Sequence, residues 1–127
     1  MFENLDIFKM SNAMAVHAGQ RQALVAQNVA NADTPGYIAR DIAPFQATYE
    51  NDGRSLQRAT RDAHLHGVNA AGSIAPTDQR AMASPDGNTV SIENEILKAT
   101  DTLRQHDRAL AIYKSSLAIL RSSLGRR

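Results

Sequence analysis

The sequence predicts a mainly α-helical chain in which a helix at each end packs as a coiled-coil pair, flanking an irregular middle region. Three observations carry this. The C-terminal stretch holds an apolar seam at alternating steps of four and three from Ile92 to Leu124, with no Pro or Gly until Gly125. The N-terminal stretch to residue 32 has no Pro, and only Gly19 interrupts it. Between them, Gly53, Gly67, Gly72, Pro76, Pro85 and Gly87 break any long element. Boundaries follow: an N-terminal helix in 1–34, a turn and extended segment in 35–50, a loop-rich region open to partial disorder in 51–90, and a long helix in 91–127.

The C-terminal seam reads Ile92, Ile96, Ala99, Leu103, His106, Leu110, Tyr113, Leu117, Leu120 and Leu124, of which eight are large and apolar or aromatic. A helix this long reaches about 50 Å, at roughly 1.5 Å per residue. It therefore asks for a partner along its whole length. Ser91 is an N-cap, Glu93 and Glu95 lie in the first turn, and Arg121 lies near the end, all in the sense the helix dipole favours. His106 is a polar member of the seam, a position that sets register in coiled coils.

The first helix, read over 5–32, carries a broken apolar stripe (Leu5, Phe8, Met10, Met14, Leu24, Val25, Val29) with Ala filling the gaps. Such a small face suits close helix approach. It must stop by Thr34, because the residue before Pro is pushed out of the α region and Pro35 cannot donate to the preceding turn. Thr34-Pro35-Gly36-Tyr37 suits a type II turn, with Pro second and Gly third. Asn28, Asn31 and Asp33 are short polar groups able to bond freed backbone at the helix end. Residues 38–50, with Pro44, Phe45 and Tyr49, read as extended chain on the helices. In the middle region a short strand or hairpin is allowed around 55–60 or 65–68, and Asp86-Gly87-Asn88 is a turn.

Composition excludes several function classes. A net charge of +1 gives no electrostatic footprint for nucleic acid. With no Cys, thiolate chemistry and disulfides are out. The N-terminus carries acids where a secretory signal needs positive charge, and the longest apolar run, 109–113, is far too short to span a bilayer. A route out of the cytoplasm would therefore not read a cleaved signal. His64 and His66 face one side of a strand, with Asp62 a weak third candidate, but no spacing places a further ligand, so no metal is assigned. Nucleophile motifs, phosphate loops and carboxylate dyads are missing, so the chain reads as a non-enzyme with no cofactor and no small-molecule substrate.

The run Ala26-Gln27-Asn28-Val29-Ala30-Asn31-Ala32-Asp33-Thr34-Pro35-Gly36-Tyr37 resembles the signature of bacterial flagellar rod, hook and hook-filament junction proteins. Arg40-Asp41-Ile42 with Phe45, the stretch 61–65, Asp86-Gly87-Asn88-Thr89-Val90 and the final helix are similar to the short proximal rod subunits of the basal-body rod family. The segment 70–83 matches nothing in that pattern. The resemblance implies a structural subunit that assembles helically around an export channel, passes torque, and leaves the cytoplasm through the flagellar type III apparatus without signal cleavage. It would then lie in the basal body, on the periplasmic side of the inner membrane. Expected partners are copies of itself, other rod subunits, a FliE-like rod-base adaptor, the membrane ring and the export gate. The motif residues Asn28, Asn31, Thr34, Pro35, Gly36 and Tyr37 form the family turn. Ile92, Ile96, Leu103, Leu110, Tyr113, Leu117, Leu120 and Leu124 form the assembly seam. Phe45 and Tyr49 would fill an export-gate recognition pattern, Phe followed four residues later by a hydrophobic residue. The alternatives are a neighbouring short rod subunit of the FlgC kind and a cytoplasmic helical adaptor or export chaperone.

Overall fold

In a computed structural model the chain runs α1 (Phe2–Ala30), β1 (Arg40–Asp41), α2 (Phe45–Asp52), β2 (Thr77–Asp78) and α3 (Ile92–Ser123). The structure describes residues 2–52, 75–79 and 83–125, and the side chains of these except 2–5 and 50–52. The hairpins allowed at 55–60 and 65–68 lie outside the described residues, as do Asp62, His64 and His66.

The two long helices pack antiparallel. Phe8 meets Tyr113 edge-on with ring centroids 5.3 Å apart. Further along, Gln105 Nε2 approaches His17 Nδ1 at 3.5 Å. At the far end Asn28 bonds Glu95. The chain termini thus lie at one end of the pair, and the turn after α1 lies at the other. At 32 residues α3 is about 48 Å long. Its start is capped as its sequence requires: Ser91 is extended, and its hydroxyl accepts from the Asn94 N–H at 3.4 Å.

The contact face of α1 is Ser11, Met14, Ala18, Arg21, Val25 and Asn28, all buried except the half-buried Arg21. The alternation of three and four is that of a coiled-coil face. On α3 the buried positions are Glu95, Thr102 and Ala109, one heptad apart. Much of this core is therefore polar. Its hydroxyls are satisfied locally, Ser11 Oγ donating to the Phe8 carbonyl (3.0 Å) and Thr102 Oγ1 to the Lys98 carbonyl (2.7 Å).

The buried row of α3 turned to α1, Glu95, Thr102 and Ala109, stands one residue, about 100° of helix rotation, away from the Ile96, Leu103 and Leu110 row of its apolar seam, while seam residue Tyr113 still meets Phe8. Of the seam, Ile92, Ile96, Leu103, Leu110, Tyr113 and Leu124 are exposed, with Ile96 at 58 % and Leu103 at 60 %. Ala99, His106, Leu117 and Leu120 are half-buried.

Two local readings are corrected. The first helix ends at Ala30, two residues short of 32, and residues 31–36 turn away. Residues 45–50 are not extended: the chain is helical over Phe45–Asp52. Pro44 stands just before that helix, where a missing N–H costs nothing, and its carbonyl accepts from both Thr48 N and Thr48 Oγ1 at 3.2 Å. The four-residue spacing of Phe45 and Tyr49 then stacks their rings, centroids 5.4 Å apart. β1 and β2 form a two-stranded antiparallel ribbon, Arg40 opposite Asp78 and Asp41 opposite Thr77. Among the described residues no helix is long and apolar enough to cross a membrane, and no cluster of three metal-ligating side chains occurs.

Candidate functional site: the turn end of the helix pair

Asn28 has no solvent exposure and uses its whole amide. Its Nδ2 donates to the Arg40 carbonyl (2.8 Å) and to Glu95 Oε2 (3.0 Å). Its Oδ1 accepts from the Arg40 N–H (3.0 Å) and from the Tyr37 hydroxyl (3.3 Å). One side chain thereby fixes α1, the strand after the turn and α3. An amide offers two donors and one carbonyl acceptor in a single plane, and neither a hydroxyl nor a carboxylate could replace it here.

The turn itself matches its sequence. The Tyr37 N–H donates to the Thr34 carbonyl (3.2 Å), and Gly36 at third position has φ +71°, as a type II turn demands. A Cβ on Gly36 would meet nothing within 4 Å, so backbone conformation alone requires glycine there. Thr34 Oγ1 donates to Asn31 Oδ1 (3.2 Å), while Asn31 Nδ2 returns to the Gln27 carbonyl (2.8 Å). Pro35 is exposed and, five residues beyond the end of α1, keeps the chain from resuming the helix.

A second asparagine closes this end from far away in sequence. Asn88 is buried, and its Nδ2 lies 3.0, 2.7 and 2.9 Å from the carbonyls of Asn31, Ala32 and Thr34. These acceptors lie in the turn that follows α1, so Asn88 pins that turn from another loop. The loop is held by the Asn88 N–H on Asp86 Oδ1 (3.1 Å) and by the Gly36 N–H on the Asp86 carbonyl (3.0 Å). Gly87 has φ +82°, and a Cβ there would lie 3.5 Å from the Gly36 Cα. That is ordinary contact, so glycine is required at both positions by the left-handed backbone and not by the space between the loops.

Beneath the turn lies a charge-balanced cluster. Arg21 Nε and Nη2 donate to the two oxygens of Asp41, each at 2.9 Å. Lys98 Nζ lies 2.7 Å from Glu95 Oε1 and 3.6 Å from Asp41 Oδ2. Burial alone would raise the Asp41 carboxyl. The Arg21 fork, the Ile42 N–H and the Lys98 charge outweigh it and hold the group below the ordinary carboxylate value. The Asp41 hydrogen bond likewise raises Arg21, against the opposing cost of burial. Two acids and two bases with Asn28 between them leave little net buried charge, which makes such a cluster tolerable.

Midway along the pair, buried His17 donates from Nε2 to the Ala43 carbonyl (2.8 Å) and meets the Phe45 ring edge-on, centroids 5.6 Å apart. Phe45 is half-buried and Tyr49 exposed. His17 thereby fastens α2 to α1. The proposed recognition pair and the turn motif are thus separate places on the molecule, joined only through α1. Of the α3 seam, Ile92, Ile96, Leu103, Leu110 and Leu124 are exposed, while Tyr113 turns in to meet Phe8 of α1.

Sequence reasoning identified Asn28, the turn and the Ser91 cap. It missed Asn88 as the pin on the turn, the Arg21–Asp41 fork and the burial of Glu95 and Thr102. A signal existed for the fork. Arg21 stands seven residues before Asn28 and seven after Met14, in heptad phase with both.

The stretch that builds α1's contact face and the turn is also where comparison is most telling: the model for the flagella basal body rod protein family matches residues 12–37. Full-length relatives settle the matter. The flagellar basal body rod protein FlgB of Agrobacterium fabrum is 30 % identical over 116 residues, covering 87 % of both chains. This chain belongs to the FlgB family of flagellar basal body rod proteins. The FlgB of Escherichia coli is 34 % identical over 103 residues, 72 % of this chain and 73 % of that one. The FlgB of Salmonella typhimurium is 32 % identical over 108 residues, 77 % and 78 % respectively. Membership places the clamp of Asn28, Asn88 and Glu95 in a structural subunit of the flagellar basal body. The stretch matched by the flagella basal body rod protein model contains Asn28 but stops short of its partners Arg40 and Glu95, which only the fold brings to it.

Proposed function

We propose that this chain is a structural subunit of the proximal rod, that its helix pair lines the axial tube, and that the exposed seam of α3 is the surface it buries against neighbouring subunits. The observation that carries this is the one-residue offset between the two faces of α3. The buried row turned to α1 includes Glu95 and Thr102, both hydrogen-bonded. The apolar face beside it, with Ile92, Ile96, Leu103 and Leu110, is left outward along the length of the helix. A contiguous apolar stripe of this kind marks an interaction surface, and a head-to-tail or lateral contact that does not close builds a helical array.

In this reading the subunit assembles with copies of itself and with other rod components, including a FliE-like adaptor at the rod base, the membrane ring and the export gate. It leaves the cytoplasm by type III export without signal cleavage and comes to lie on the periplasmic side. Phe45 and Tyr49 contribute to recognition at the gate. The turn motif residues Asn28, Asn31, Thr34, Pro35, Gly36 and Tyr37 hold the two helices at the angle the tube needs.

The test is complementation of a strain lacking the chain, scored by motility and by the subunit's presence in purified basal bodies. Wild type restores both. Recovery only in the cytoplasmic fraction would favour a chaperone or adaptor instead.

A further inference from the structure

Among the described side chains, the charges left without an ion pair sort by end. From residue 108 to the C-terminus the sequence carries Arg108, Lys114, Arg121, Arg126 and Arg127 and no acid. Among the described side chains, the cations that take part in no ion pair are Arg108, Lys114 and Arg121, all exposed on the half of α3 that runs beside the start of α1. The described acids in the same condition are Asp33, Asp86 and Glu93, all exposed at the turn end. Asp107, beside His106, marks the changeover.

Helix-dipole compensation does not account for this. That effect fades within the terminal turn, yet Lys114 stands more than two turns before the end of α3, Arg108 further still, and Asp33 and Asp86 are not on α3 at all. Each end also carries exposed apolar side chains beside its charges: Ile119 and Leu124 at the basic end, Val29, Ile38 and Ile92 at the acidic end. Apolar contacts rimmed by charge are the make-up of a protein interface.

We propose that the basic end of the helix pair docks on the acidic turn end of another subunit of the same build, stacking subunits head to tail along the axis. Charge complementarity fixes the polarity of the stack, because the reversed contact would set like charges against each other. The inference deepens the rod reading and rests on it. A second copy of this chain is the probe, since its turn end is the acidic surface described here.

The experiment is sedimentation of the full chain across ionic strength, with two charge-reversed variants checked for unchanged helicity by circular dichroism. One carries Arg108→Glu and Lys114→Glu; the other carries Asp33→Lys and Glu93→Lys. Wild type is expected to self-associate at low salt and to lose roughly tenfold or more in association constant as screening approaches physiological strength. Each variant alone is expected to stay monomeric. An equimolar mixture is expected to recover association, because acidic ends then meet basic ends again. A wild type that stays monomeric at low salt, salt-independent association, variants that associate like wild type, or a mixture no better than its parts would each overturn the proposal. Wild type present in basal bodies alongside equally incorporated variants would sink the head-to-tail contact while leaving the rod reading intact. Absence of wild type from basal bodies would sink the rod reading itself.

Discussion

Asn28 and Glu95 lie 67 residues apart in sequence and meet at 3.0 Å in the buried seam between the two long helices. The bond ties the last turn of α1 to the first turns of α3. It sits where a coiled coil is expected to place an aliphatic pair. A polar pair at such a position gives up stability and fixes register, because any slip leaves both groups buried without partners.

Asn28→Ala should therefore act through loss of register more than loss of volume. It strips partners from Glu95 Oε2, the Arg40 backbone and the Tyr37 hydroxyl at once. A destabilisation on the order of 3 kcal/mol is expected, read as a lowered thermal midpoint of helicity. Asn28→Asp is expected to be no better, since it loses both donors and adds a charge beside Glu95. An unchanged midpoint would remove Asn28 from the centre of the fold.

The Arg21–Asp41 fork gives a pH dependence with a defined sign. The Asp41 carboxyl is held below its ordinary value in the folded chain. Its contribution is thus fully present above that ordinary value, about 3.9, and is lost as pH falls through the lower, folded value. Wild type should lose stability across this acid window, and Asp41→Asn should flatten that part of the profile. At neutral pH the same variant should cost about 3 kcal/mol, the lower end for a broken buried pair because Arg21 keeps a side-chain exposure of 23 %. Acid titrations of helicity for the two chains make the comparison.

Gly36→Val and Ile38→Val should separate backbone from side-chain effects. Gly36 sits at φ +71° with open space around it, so valine suffers strain and no clash, about 1–2 kcal/mol or more for a β-branched residue. Ile38 is exposed and should change stability by less than about 0.5 kcal/mol. Motility in complemented strains should fall for the first and hold for the second. The reverse order would refute the turn.

The seam can be tested by two aspartates. Leu110 is exposed on the isolated helix pair and Leu117 half-buried. Leu110→Asp should leave the helicity of the free subunit unchanged and abolish its incorporation into basal bodies, since assembly would then bury a charge. Leu117→Asp should damage both. Incorporation of Leu110→Asp at wild-type level would remove that stripe from the assembly surface.

These cases also show what a sequence can and cannot disclose. The type II turn, the Ser91 cap and a stop to α1 ahead of Pro35 were legible because Pro, Gly and Ser act through their own backbone or nearest neighbours, although the end at Ala30 itself was not. The pairing of the end helices was legible from heptad spacing. The rotational phase of that pairing was not. Glu95, Thr102 and Ser11 have the composition of a solvated face, while Ile96 and Leu103 have that of a core. Each reading reverses once the helices meet, because Glu95 finds a partner at long range and the Ser11 and Thr102 hydroxyls turn back on their own helices, so these polar groups are satisfied in the interface while Ile96 and Leu103 stay exposed. The helix at Phe45 was hidden for a different reason: its support comes from His17 on another element.

Asn88 completes the turn after α1 with a side chain that arrives more than fifty residues later. Until that part of the chain is present, the carbonyls of Asn31 and Thr34 keep only the N–H groups of their own turns, and that of Ala32 lacks its Asn88 donor. A fragment cut short before this position cannot pin the turn that follows its first helix, however well its opening third is made. The subunit thus carries its own check for wholeness: only a chain delivered past its middle can become a finished building block.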